Sequence, residues 1–121
     1  MNVGYVVLYV NDTNACIDFW TNQVGMQLLN KNVMGENTIA KVGFKDQNFS
    51  FELVPLAMMK DNPNKLDLAT PSICFYVKDI ESEHKRLKNN KVTNTHISDH
   101  FGRKSFAFSD NEGKWFAVQE G

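Results

Sequence analysis

Residues 6–29 read VVLYVNDTNACIDFWTNQVGMQLL, and the order of patterns in this stretch decides the fold. Val7 and Tyr9 alternate with Val6, Leu8 and Val10, and the alternation runs back to Met1 through Tyr5, Gly4 and Val3. Met1 to Val10 is therefore predicted to be a strand with apolar side chains on both faces. Asn11-Asp12-Thr13-Asn14 then offers helix N-caps, and Ala15, Phe19, Trp20 and Val24 follow as an apolar stripe at helical spacing. Gly25 breaks that stripe, and Met26 opens a second strand.

Working outward, Met26 to Val33, Thr38 to Phe44 and Asn48 to Leu56 read as three strands, split by turns at Gly35-Glu36-Asn37 and Lys45-Asp46-Gln47. AMMKDNPNKLDLAT, residues 57–70, breaks every period and reads as a surface loop or linker. After it the programme restarts. Ser72 to Val77 is a strand, Asp79 caps a helix carrying Ile80, His84 and Leu87, and Asn89-Asn90 closes it. Val92 to Ser98, Arg103 to Ser109 and Lys114 to Glu120 follow as strands, with Ser109 to Lys114 as a hairpin turn. Val10-Asn11-Asp12 recurs as Val77-Lys78-Asp79, and Phe51-Glu52-Leu53-Val54 is echoed by Phe116-Ala117-Val118-Gln119, so the chain holds an internal repeat.

Each repeat reads β-α-β-β-β, and one helix covers only one face of the sheet beside it. The expectation is an α+β fold, a single domain over residues 1–121. Two βαβββ modules, 1–56 and 71–121, flank the linker at 57–70. Side by side they form a curved, partly closed mixed sheet around a central cavity, with the helices on the outer face.

The 121 residues are 42% apolar and 22% charged, near globular averages and unlike a disordered chain or a membrane protein. A net charge of −1 and a pI near 6.3 argue against nucleic acid as a partner, since phosphate binding leaves a basic footprint. The one basic cluster, His84-Lys85-Arg86-Leu87-Lys88, interleaves with Glu81 and Glu83 and reads as a solvated helix face. Cys16 and Cys74 form no Cys-x-x-Cys pair and read as buried thiols. The N-terminal run lacks the basic start of a secretion signal, and a cytoplasmic location is expected.

Glu52 is the odd residue in FSFELVPL, residues 49–56, because strands take glutamate reluctantly. Strand phase puts Ser50, Glu52 and Val54 on one face, and likewise groups Tyr5, Val7 and Tyr9; Ser72, Cys74 and Tyr76; and Trp115, Ala117 and Gln119. Aromatic walls with few polar anchors describe a small-molecule cavity, though the same rings suit packing or a dimer interface. A carboxylate among them is a seat for a cationic group or a proton carrier, and the absence of a histidine in its phase favours ligand anchoring over catalysis. His96 and His100 read as loop residues rather than metal ligands. Arg103 is placed at the cavity mouth to meet an anionic group, or else to pair with Asp99 or Asp110.

With those residues in view, the chain resembles the glyoxalase/bleomycin-resistance/dioxygenase (vicinal oxygen chelate) superfamily. The resemblance rests on Val6 to Leu29, with Asp12, Phe19-Trp20 and Val24-Gly25-Met26, and on the close FGRKSFAFSDNEGKWFAVQEG, residues 101–121. It implies the paired-module fold and, in metal-dependent members, four ligands that align here with Tyr5, Glu52, Ser72 and Ala117. One carboxylate among those four leaves the metal set largely lost. The implied function is therefore binding of a partly aromatic metabolite or antibiotic by Glu52, Tyr5, Tyr9, Ser72, Tyr76, Trp115 and Arg103. No metal, cofactor or catalytic residue is expected, and the partners are a small molecule and a second copy in a homodimer, with no nucleic acid or membrane. The alternative is a metal-dependent lyase, isomerase or dioxygenase whose atypical ligand set includes Glu52.

Overall fold

The computed structural model describes residues 1–121 and has the α+β architecture, with two compact units, Met1–Pro71 and Ser72–Gly121. Each unit is built on its own four-stranded mixed sheet.

In the first unit, β1 (Val6–Val10) leads into α1 (Thr13–Asp18), and β2 (Gln27–Met34), β3 (Asn37–Gly43) and β4 (Ser50–Pro55) follow. The strand order is β1-β4-β3-β2, with β1 parallel to β4 and the other pairs antiparallel. Asp12 caps α1 by accepting a hydrogen bond from the Ala15 N–H at 3.1 Å, which satisfies a donor the helix itself leaves free. The helix does not stay α-helical to its end. Over Phe19–Val24 it widens to a π-helix, where the Trp20 carbonyl accepts from both Gly25 and Met26 and the Thr21 hydroxyl donates to the Ile17 carbonyl. Gly25, at φ 106°, then turns the chain into β2 in a conformation that glycine adopts without a side-chain clash.

The apolar stripe of this helix packs on alternate strand residues. Leu8, Val10, Ala40, Val42, Phe51 and Leu53 are buried beneath it, and the Trp20 ring lies 5.1 Å from that of Phe51. Strand alternation then sends Val7, Tyr9, Ile39, Lys41, Glu52 and Val54 to the opposite face, where they are only half-buried. The strand expected from Met1 begins only at Val6, where the parallel ladder with β4 starts at Phe51. The expected linker holds a 3₁₀ turn at Leu56–Met59, and further on the Asn62 side chain clasps Leu66 by both its N–H and its carbonyl.

The second unit repeats the plan: β5 (Cys74–Val77), α2 (Ile80–Asn89), β6 (Ser98–His100), β7 (Arg103–Ser109) and β8 (Trp115–Glu120), in the order β5-β8-β7-β6. Asp79 caps α2 at the Ser82 N–H. Glu81 and Glu83 in its first turn and Arg86 and Lys88 in its last complement the helix dipole. Ile80 and Leu87 are buried, as are Phe106, Phe108, Phe116 and Val118 on the strands.

Three local features differ from the expectation. The strand expected over Val92 to Ser98 reduces to a single bridge, Asn94 to Phe108, followed by the short β6. The cause is Thr95, whose hydroxyl accepts the Ala107 N–H at 2.9 Å and so takes a place that a ladder carbonyl would fill. His84 is not merely solvated: its Nε2 lies 2.8 Å from the Thr95 carbonyl and its ring stands edge-on to Phe106. Cys16 is buried as expected, but Cys74 is exposed because it falls on the face of β5 that α2 does not cover.

The β7–β8 turn is held by Asp110, whose Oδ1 accepts the N–H groups of Glu112 and Lys114, both at 2.9 Å. Asp110 is 6% exposed, and its Oδ2 is buried without a hydrogen-bond partner. Burial raises its pKa, and the two backbone N–H groups only partly oppose this. In the folded chain Asp110 therefore keeps its proton to higher pH than in the unfolded chain, so unfolding releases a proton. Stability contributed by this group is present at low pH and is lost as pH rises from the unfolded value, about 3.9, through the raised folded one. Urea midpoints measured across that range should fall with rising pH relative to Asp110→Asn, in which the group cannot ionise.

Candidate functional site

The uncovered face of the first sheet carries one polar cluster, and the register explains it. Val7 lies opposite Glu52, Glu52 opposite Lys41, and Lys41 opposite Asn30, so these residues form one row across the four strands. Adjacent strands lie about 4.8 Å apart, which puts β1 and β3 roughly 10 Å from each other with Glu52 between them. Tyr5, just before β1, and Lys41, on β3, both reach over β4. The Lys41 ammonium sits 4.3 Å from the centre of the Tyr5 ring, a cation–π contact. The Tyr5 hydroxyl donates to the Glu52 carboxylate, and this hydrogen bond, reinforced by the carboxylate's charge, raises the Tyr5 pKa above the ordinary phenol value. The cluster thus offers one anionic acceptor, one cation and one phenol, whose ring is its aromatic surface.

Tyr9 shares this face further along β1, about 13 Å from Tyr5 at strand rise. It lines an open cavity of about 370 Å³ with Val7, Leu66, Asp67 and Thr70.

On the second unit, the uncovered face carries Tyr76 and Trp115, 73% and 50% exposed, with Cys74, Ala117 and Gln119 in the same phase. Ser72 is exposed and precedes β5 rather than lying in it. Arg103 is exposed at the start of β7, opposite His100. The two partners considered for Arg103 are engaged with backbone: Asp99 accepts the Gly102 N–H, and Asp110 holds its own turn.

The structure thus brings Tyr5 and Glu52 together, puts Tyr9 on the same sheet face, and puts Tyr76, Trp115 and Arg103 on the matching face of the second unit. Lys41 was missed by the sequence reading. Its signal was present in the alternation Ile39-Lys41-Gly43, which sets a lysine in the phase of the uncovered face.

A divalent metal needs three or four donors that converge on it. No three His, Cys, Asp or Glu side chains are grouped so as to hold a metal. At the positions the family resemblance assigns to ligands, Tyr5 spends its proton on Glu52, Ala117 is a methyl group, and Lys41 sets a positive charge beside the single carboxylate. This donor set does not fit a metal centre of that kind.

A family model described as Glyoxalase/Bleomycin resistance protein/Dioxygenase superfamily matches residues 2–118. The protein YetH of Bacillus subtilis (strain 168) is 28% identical over 120 residues, covering 98% of this chain and 97% of its own. A superfamily member from Sphaerobacter thermophilus DSM 20745 superposes with a TM-score of 0.82 at 21% identity, covering 100% of this chain and 98% of that one. TnmS3, an antibiotic binding protein from Streptomyces sp. CB03234, superposes with a TM-score of 0.80 at 19% identity over 99% of this chain and 95% of its own.

The bond between Tyr5 and Glu52 has a spectroscopic consequence. Of the three tyrosines in the chain, Tyr5 should ionise above the ordinary phenol range, and Glu52→Gln should bring that transition down. Ultraviolet difference titration of the two proteins checks this; superimposable curves would show that the bond is not made in solution.

Proposed function

Since this chain belongs to the glyoxalase/bleomycin resistance protein/dioxygenase superfamily, we propose that it is a binding protein for a small, partly aromatic metabolite or antibiotic, without metal chemistry. The observation that carries this reading is the Tyr5–Glu52–Lys41 cluster on the uncovered face of the first sheet. Aromatic surface with a few fixed polar groups is what a small-molecule site requires, and the carboxylate here serves ligand contact rather than metal ligation. The fold shared with the antibiotic binding protein TnmS3 supports the same reading. Tyr76 and Trp115 give the second unit an aromatic surface of its own. Ser72 and Arg103 are read as its polar groups.

The test is calorimetric titration of the protein with a panel of planar aromatic compounds. At least one is expected to bind, and Glu52→Gln and Tyr5→Phe should each weaken it about tenfold, the worth of one hydrogen bond to a charged group. Elemental analysis of the purified protein is expected to show no stoichiometric transition metal. A panel without a single binder, or a stoichiometric metal whose removal abolishes turnover, would overturn the proposal.

The protein is further read as a cytoplasmic homodimer. Leu28, Leu29, Val33 and Met34 on β2 leave apolar surface that a second copy would cover. The exposed free thiol of Cys74 fits a reducing compartment. Sedimentation equilibrium should return twice the chain mass of 13.8 kDa; the single-chain mass at micromolar concentration would contradict the dimer.

A further inference from the structure

We infer that Lys41 determines which ligands the first unit accepts: aromatic molecules carrying an anionic oxygen with a hydrogen-bond donor about one ring away, in preference to aromatic cations. The inference rests on the small-molecule reading above and deepens it.

Glu52 alone on an aromatic face would be a seat for a cation. The register removes that option, because Lys41 is its direct cross-strand neighbour and presents its ammonium over the same Tyr5 ring. A cationic ligand drawn to the carboxylate would meet the like charge of the Lys41 ammonium, held over the neighbouring Tyr5 ring. The two charges also cancel, so the cluster casts little net field toward an incoming ion of either sign. Selectivity must then arise on contact, when the ligand strips water from both groups. Each desolvated charge needs its own partner, or the penalty for burying it stands. A ligand meets both needs when an anionic oxygen accepts from the Lys41 ammonium and a hydroxyl or amine donates to Glu52.

Spacing narrows the class further. Side chains directly opposite on antiparallel strands start about 4.5–5.5 Å apart. Both head groups are gathered at the Tyr5 ring, the ammonium over its face and the carboxylate at its hydroxyl, so two substituents of one benzene ring can reach both. The Tyr5 ring, 44% exposed while the lysine holds its face, offers the ligand ring an edge to pack against.

The probes are 3-hydroxybenzoate, which offers both groups, benzamide, which is neutral, and benzamidine, which is cationic. Each is titrated into the full chain and followed by amide chemical shifts on β3 and β4. The acid is expected to bind at least tenfold tighter than benzamidine, Lys41→Met to lose that preference, and Lys41→Arg to keep it. Lys41→Gln serves in place of the methionine variant should the latter not fold. An unchanged acid-to-amidine ratio in Lys41→Met, or a preference for benzamidine in the unaltered protein, would overturn this inference while leaving small-molecule binding intact. Failure of all three probes to bind, while another member of the planar panel does bind, would likewise overturn this inference alone.

Discussion

In each unit a single helix lies against one face of a four-stranded sheet, and strand alternation turns that arrangement into a division of labour. Residues in one phase are committed to the core: Leu8, Val10, Phe51 and Leu53 in the first unit, Phe106, Phe108, Phe116 and Val118 in the second. Residues in the other phase have no helix to pack on and are free to meet something else. A one-residue slip in any strand would exchange the two sets, so the tight packing of Trp20 on Phe51 also fixes where Glu52 points. The hydrophobic core is in this sense the positioning device for the polar cluster on the far side.

Most of this was readable from residue order. The repeat, the two aspartate caps and the turn glycines are local signals, and each acts within a few residues of itself. What the sequence hid depended on partners distant along the chain. Thr95 turned a strand into an irregular segment by reaching Ala107, and nothing around Thr95 announces that. Cys74 reads as interior by its type, whereas its parity on β5 puts it on the open face. Lys41 is the instructive case at the site. A lysine between Ala40 and Val42 looks like a solvated residue on a half-wet strand, and only the pairing of β3 with β4 sets it beside Glu52.

That neighbour changes the meaning of the carboxylate. Superfamily enzymes use carboxylates at such positions as metal donors, and a lone glutamate with no fellow ligands reads as a remnant. With the Tyr5 hydroxyl and the Lys41 ammonium around it, Glu52 is part of a small polar arrangement with its own internal logic. Charge is balanced locally, an aromatic ring lies beneath, and the backbone fixes the spacing. Such a surface is suited to recognition by matched donors and acceptors rather than to polarising a substrate.

The parallel pairing of β1 with β4 carries a consequence for biosynthesis. Val6 finds its partner in Phe51, so a ribosome must add more than forty residues after β1 before that strand can dock. At about 5–20 residues per second this leaves an apolar strand waiting for roughly 2–9 seconds, exposed to any other nascent or misfolded edge nearby. The β2–β3 hairpin, whose partners flank the tight turn at Gly35, meets no such delay. The second unit repeats the problem on the same scale, with Cys74 awaiting Ala117. Chaperone dependence during synthesis would therefore be concentrated in two brief intervals, one per module, rather than spread along the chain.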